Sequence, residues 1–298
     1  MARKRRGRPV NGWVVLDKPA GMTSTRAVSE VRRLFQAAKA GHAGTLDPLA
    51  TGVLPIALGE ATKAMAFVVD SSKTYRFSLH WGQERDTDDS EGSVVSESAA
   101  RPDRDAVERA LAAFVGDISQ RPPAYSAIKV DGERAYDLAR DGRPPELEPR
   151  IVRIDELRLV DWQPPDAAGF EMRCGKGAYV RAIARDLGRA LGCFAYVSAL
   201  RRTRVGPFDE GSAISLDKLQ SIGHKEPPEG ALLPVETALA DIPALAVTGS
   251  EASRLKCGQA VRVPSSMEGT IYATADGRPV ALARISGGEV RPVRVFNL

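Results

Sequence analysis

The stretch Gly41-His42-Ala43-Gly44-Thr45-Leu46-Asp47-Pro48-Leu49-Ala50-Thr51-Gly52 gathers three glycines, a proline, one of the chain's three histidines and a single carboxylate. Glycine at 41, 44 and 52 allows backbone angles or close approaches that a Cβ would forbid. Pro48 biases Asp47 toward an extended conformation. The stretch is therefore expected to form a shaped loop that presents His42 and Asp47 from a fixed backbone. On residue types alone two readings of Asp47 stand. Asp-Pro and glycine-rich stretches are common turn formers, which makes it a solvated turn residue. Loops held by a rigid scaffold also carry function, which makes it a working carboxylate.

Outward from this loop the chain alternates between strands and helices. Upstream, Gly12-Trp13-Val14-Val15-Leu16-Asp17-Lys18 reads as a short buried strand. Thr23 or Ser24 then offers an N-cap for a helix with apolar Val28, Val31, Leu34 and Phe35. Downstream, Val53-Leu54-Pro55-Ile56-Ala57-Leu58 reads as a strand. Lys73 to Trp81 alternates, with Tyr75, Phe77, Leu79 and Trp81 on one side, so that Tyr75 by residue type reads first as a core aromatic and second as a functional residue. The acidic turn Asp86-Thr87-Asp88-Asp89-Ser90-Glu91-Gly92 fails calcium-loop spacing, and no metal is expected there. Asp103 to Phe114 has helical periodicity. Residues 121–149, bracketed by prolines and charge, read as an inserted segment with one short helix. Strands are expected at residues 150–160 and 170–174, and a helix opens at Tyr179-Val180-Arg181. A cation there gains nothing from the helix dipole and is better placed if a carboxylate faces it. Residues 222–228 read as a linker. From residue 241, short strands separated by turns such as Asp276-Gly277 and Gly287-Gly288 read as a small all-β module.

Composition narrows the function classes. The chain has 298 residues, 43% hydrophobic and 27% charged, long enough for one large domain and a small one. No run approaches the ~20 apolar residues of a membrane span, and the basic N-terminus lacks the apolar segment of a signal peptide. A cytoplasmic protein is expected. Cys174, Cys193 and Cys257 are scattered without metal-ligand or disulfide spacing. The net charge is only +4, but five of the first eight residues are basic and Arg201-Arg202-Thr203-Arg204 forms a second dense spot. Two such spots fit a polyanionic partner as well as plain solvated surface.

The stretch 41–52 closely resembles the catalytic motif of bacterial-type tRNA pseudouridine(55) synthases, the TruB family. Leu16-Asp17-Lys18-Pro19-Ala20-Gly21-Met22-Thr23-Ser24 resembles the family's first motif, and Lys73-Thr74-Tyr75-Arg76 its tyrosine strand. Gly175-Lys176-Gly177-Ala178-Tyr179-Val180-Arg181 and Leu200-Arg201-Arg202 resemble its later motifs. The motifs occur in the family's order across roughly residues 10 to 215. Glu84-Arg85, where the family usually carries a basic residue and a threonine, and Ala43 and Thr45 depart from the pattern without touching the chemical groups.

The resemblance implies an α+β pseudouridine synthase fold: a mixed, largely antiparallel sheet flanked by helices, with a small C-terminal all-β PUA-like domain. It divides the chain into a basic tail (1–10), a catalytic domain (11–240) with an RNA-clamping insertion at about 121–149, and the PUA-like RNA-binding domain (241–298). It implies a cofactor-free, metal-free isomerase that converts uridine 55 in the T-loop of tRNA to pseudouridine. Asp47 would be the nucleophile, attacking either ribose C1′ or C6 of the base. A carboxylate nucleophile divides one hard step into easier ones. It must be ionised, a form that a neighbouring guanidinium favours, and Arg181 stands at the matching position. Tyr75 would stack on the base and help remove the C5 proton. The base must be extruded to reach Asp47, with His42 filling its place or stacking on a neighbour. Tyr179 and Leu200 would line the base pocket, Asp89 would bond the base edge, and Arg201, Arg202 and Arg204 would contact phosphates. The expected partner is the tRNA T-stem-loop, with no membrane, no protein partner and a monomeric state. Three rivals remain: a non-catalytic RNA-binding protein, an N-glycosidase-like hydrolase, and the related guide-RNA-dependent enzyme.

Overall fold

Alternating apolar residues along Lys73–Trp81 build one of the inner strands of the fold, with Phe77, Leu79 and Trp81 buried. The computed structural model describes residues 7–130, 132–223 and 227–298. Most of the expected basic tail (residues 1–6) and three residues of the expected linker (224–226) lie outside the described residues. The chain forms two units. One comprises Met1–Leu46, Val53–Val69 and Gly206–Leu298; the other comprises Asp47–Gly52 and Asp70–Val205.

In the second unit five antiparallel strands run in the order Ala195–Val205, Lys73–Trp81, Ala167–Cys174, Arg150–Gln163, Gly116–Gln120. Thr51 and Gly52 pair in parallel with Arg201 and Arg202. Across this sheet Phe77 faces Phe170, their rings 5.5 Å apart and near-parallel, the cross-strand pairing that stabilises sheets. The Val180–Ala190 helix returns onto the first of these strands at Gly188, where an added Cβ would lie 2.3 Å from the Ala195 nitrogen. The basic spot 201–204 thus sits on an eleven-residue inner strand. Alternation along it turns Leu200 and Arg202 inward, while Arg204 is exposed.

In the first unit Gly12–Lys18 lies between Ile214–Ser215 and the Thr51–Leu58 strand, and Ala40–His42 pairs antiparallel with the latter. Thr23 caps the Ser24–Leu34 helix by accepting from the Arg26 amide. Trp13 is fully buried, its ring 5.2 Å from that of Phe208 and its Nε1 donating to the Val235 carbonyl. Burying a tryptophan contributes roughly 4–6 kcal/mol from area alone. The C-terminal part forms a five-stranded sheet in the order Ala244–Ala246, Gly269–Ala275, Arg278–Ser286, Glu289–Val295, Val261–Arg262. The strands and turns expected there are present. The module also holds a helix, Gly249–Lys256, whose Ala252 and Leu255 pack onto Ile271, Ala283 and Ile285. Its composition is too polar for periodicity to reveal it, but the Thr248/Glu251 capping box marks its start.

Candidate active site

The backbone around Asp47 is fixed from several sides. Ser24, which does not cap its own helix, accepts from the Leu46 amide at 2.8 Å and donates to the Leu46 carbonyl at 2.9 Å. One buried hydroxyl thus satisfies both polar groups of the residue preceding Asp47. The Ala50 amide closes a turn on the Asp47 carbonyl at 3.1 Å. Beyond it Gly52 has φ +98°, and a Cβ there would sit 2.2 Å from the Arg202 carbonyl. Only glycine lets the loop end this close to the inner strand.

Arg181 is 4% exposed and meets the loop from the first turn of the Val180–Ala190 helix. Its Nε lies 2.9 Å from Asp47 Oδ2 and 3.6 Å from Asp89 Oδ2. The Nε–H forms no directed hydrogen bond, so both contacts are ionic. Its Nη1 donates to the Thr87 carbonyl at 3.0 Å and its Nη2 to the Tyr125 carbonyl at 2.9 Å. A guanidinium fixed at two points by carbonyls presents its remaining edge at one orientation, which an ammonium could not do. The carboxylate expected to face Arg181 is therefore present twice. Asp47 is one-third exposed, whereas Asp89 is nearly fully buried.

Asp89 Oδ1 accepts from Thr87 Oγ1 at 2.6 Å and from the Glu91 amide at 3.0 Å. Burial pushes its carboxyl up, against the pull of the Thr87 hydroxyl and Arg181. Tyr179, half-buried at the helix N-cap, is clasped by Gln120, whose side-chain oxygen accepts from the Tyr179 amide and whose nitrogen donates to its carbonyl. Arg150 reaches its hydroxyl at 3.4 Å.

Tyr75 and Arg202 are cross-strand partners, as are Phe77 and Leu200. Arg202 hydrogen-bonds the Tyr75 phenol. Burial pushes that phenol up and the charge of Arg202 opposes it, while the nearby charge of Asp47 adds to the rise. Lys73, two residues earlier, is pushed down to about 8 by burial and then by Arg202. Leu200 is buried, with its carbonyl accepting from Thr51 Oγ1.

The structure thus sets Arg181 against both Asp47 and Asp89 and places Tyr75 within the field of Asp47. Tyr179 opens the helix that carries Arg181. His42 lies in the first unit, opposite Ile56 on a short strand. Of the basic residues, Arg204 is exposed, Arg201 is partly so, and Arg202 is buried at 1%.

Several residues around the site carry little signal in the sequence. Gln120 and Thr87 carry no pattern that marks them. Arg185 could have been found, because it follows Arg181 by one helical turn and shares its face. Its Nη1 lies 3.1 Å from buried Asp88, and its Nη2 donates to the Arg121 carbonyl at 2.8 Å. Asp88 is pushed up to about 6 by burial, against Arg185 and Arg181.

The N-terminal domain of TruB family pseudouridylate synthases matches residues 32–180. The tRNA pseudouridylate synthase B C-terminal domain matches 181–240, and the tRNA pseudouridine synthase II C-terminal domain matches 242–297. A tRNA pseudouridine synthase B of Nitrobacter winogradskyi is 58% identical over 99% of this chain and 85% of its own. That of Caulobacter vibrioides is 53% identical over the full length of both. Among solved structures, a Cbf5-Nop10-Gar1 complex contains a chain 25% identical, with a TM-score of 0.76 over 99% of this chain and 91% of that one. Matching domains from residue 32 to residue 297, at this level of identity, place the chain in the TruB family of pseudouridylate synthases.

Proposed function

We propose that this protein isomerises uridine 55 in the T-loop of tRNA to pseudouridine, with Asp47 as the nucleophile and no cofactor. The observation that carries the proposal is the ion pair of Asp47 with a buried guanidinium whose other nitrogens are held by main-chain carbonyls. An exposed loop carboxylate has no need of such a support, whereas a group that must form and release a covalent bond does. Family membership and relatives named tRNA pseudouridine synthase B support the same reading.

In this reading the T-loop uridine is extruded, with His42 taking its place or stacking beside it. Asp47 adds to ribose C1′ or to C6 of the base, the N1–C1′ bond breaks, the base turns, C5 bonds to C1′, and the bond to Asp47 breaks with its electron pair returning to the carboxylate. The hydrogen on C5 leaves as a proton and N1 gains one, so no redox partner is needed. Tyr75 stacks on the base and assists removal of the C5 proton. Tyr179 and Leu200 line the pocket, and Asp89 contacts the base edge. Arg201 and Arg204, both accessible, contact phosphates, which makes affinity salt-dependent. Residues 11–240 form the catalytic domain and residues 121–149 clamp the RNA. The basic tail at 1–10 and the PUA-like domain at 241–298 add affinity. The enzyme works as a cytoplasmic monomer without protein partners.

An unmodified tRNA transcript incubated with the protein, magnesium chelated, tests this. Carbodiimide labelling followed by primer extension is expected to give one stop at the T-loop uridine. Asp47→Asn should remove the stop while RNA affinity changes little. A stop of normal strength in Asp47→Asn rejects the nucleophile. Binding without any stop rejects the enzyme reading in favour of an RNA-binding protein, and free uracil would mark a hydrolase.

A further inference from the structure

Arg202 is almost completely buried, although it lies in a basic run whose other members reach solvent. A guanidinium in such a place loses its hydration and persists only where partners compensate. It is also 1% exposed on the same sheet face as Lys73, a second buried cation, which adds repulsion to the desolvation. A phosphate-binding arginine would avoid both penalties by facing outward. Two features explain its placement. The antiparallel register sets Arg202 directly opposite Tyr75, and its side chain hydrogen-bonds the phenol. The parallel register sets its backbone opposite Gly52, where the lack of a Cβ lets the end of the Asp47 loop approach its carbonyl. One residue therefore touches both the strand that carries Tyr75 and the loop that carries Asp47.

We propose that Arg202 is a positioning residue for the isomerisation: it holds the Tyr75 hydroxyl by a cross-strand hydrogen bond and does not bind RNA. The proposal rests on the catalytic reading of Tyr75 given above. A guanidinium can only donate. The phenol oxygen therefore accepts from Arg202, and its own O–H is turned toward another group. The bond fixes the rotation of the hydroxyl and the height of the ring over the sheet. Along the same strand Arg204 is exposed and Arg201 partly so, whereas Arg202 is buried, and the strand stays paired and buried beyond them at Val205.

The test pairs Arg202→Gln and Arg202→Lys with Tyr75→Phe, singly and combined, using the full chain and a tRNA transcript in single turnover. Loss of one hydrogen bond from a charged donor corresponds to about a tenfold to hundredfold lower rate. That loss is expected in Arg202→Gln and, somewhat smaller, in Arg202→Lys, with RNA affinity unchanged. Added to Tyr75→Phe, which has no hydroxyl to hold, either change should have little further effect. Additive losses, or a parallel drop in RNA affinity, would overturn the proposal in favour of a structural or phosphate-binding role. Fluorine NMR of protein carrying 3-fluorotyrosine gives a readout independent of activity, with the Tyr75 signal identified by its absence in Tyr75→Phe. In Arg202→Gln that signal should move and titrate at higher pH, because the charge and the bond that favour the phenolate are gone. An unmoved signal sinks the idea even if the protein never modifies tRNA. A moved signal in a protein without isomerase activity supports the contact and rejects only the reaction. Arg202→Lys, which keeps a cation at the site, serves if the glutamine variant does not fold.

Discussion

Replacing Arg181 with lysine isolates what the guanidinium fork contributes beyond charge. In the native site one side chain makes two carbonyl hydrogen bonds, at 3.0 and 2.9 Å, and contacts the Asp47 carboxylate at 2.9 Å. A lysine ammonium is a single donor centre on a different stem and can keep at most part of this set. Each lost bond from a charged donor is worth about 1.5–3 kcal/mol. If roughly half of the loss falls on the geometry of Asp47 in the transition state, the barrier rises by about 2–3 kcal/mol, or about a hundredfold in rate. The assay is release of label from C5 of the T-loop uridine, with enzyme in excess so that product release does not mask the chemical step. RNA affinity should stay within a few fold, because a 4% exposed side chain offers nothing to a phosphate. Some stability should be lost as well, since Thr87 and Tyr125 each leave a carbonyl without this donor. A folded Arg181→Lys variant with a single-turnover rate within threefold of the parent would refute the reasoning and leave Arg181 as a structural residue.

Three further outcomes are expected. Gly52→Ala should lower stability by about 3 kcal/mol and slow the reaction, because its Cβ meets the Arg202 carbonyl at 2.2 Å with φ in the left-handed region; unchanged melting and rate would contradict this. Asp88, pushed up from 3.8 to about 6, binds a proton in the folded protein more readily than in the unfolded one. Its contribution is thus present in full below about pH 4 and lost as pH rises through about 6. Relative to Asp88→Asn, the parent should therefore gain up to about 3 kcal/mol of unfolding free energy between pH 7 and pH 4, as denaturant titrations would show, and a flat difference would argue against it. Tyr75→Phe should keep RNA binding and lower the rate of C5 label release by about tenfold or more; an unaltered rate would leave the ring as a stacking surface only.

Much of this arrangement was legible in the residues themselves. The alternation of Lys73–Trp81 and the apolar spacing of the Val180–Ala190 helix require only local periodicity, and both elements formed as read. The need for a carboxylate opposite Arg181 followed from its place at a helix start, and two carboxylates are there. What remained hidden depends on tertiary pairing. Arg202 looks identical to Arg201 and Arg204 in a basic run, and only the strand register buries it. Gln120 lies 59 residues from the Tyr179 backbone that it holds. Ser24 is one of two adjacent cap candidates, and only the fold frees it to hold Leu46. The Gly249–Lys256 helix escaped because its apolar positions number just two, Ala252 and Leu255.

The inserted segment is tied to the Val180–Ala190 helix through the Arg121 and Tyr125 carbonyls, not through the side chains of those residues. Anchors made of main chain are blind to sequence. Truncating either side chain leaves the tie itself in place, so an alanine scan of the segment would read the Arg121–Glu146 ion pair and the Tyr125–Tyr136 ring contact and miss the anchors. A deletion or a one-residue shift would instead pull the Tyr125 carbonyl from Arg181, the same guanidinium that contacts Asp47. Length, more than composition, is therefore what natural variation in this segment has to preserve.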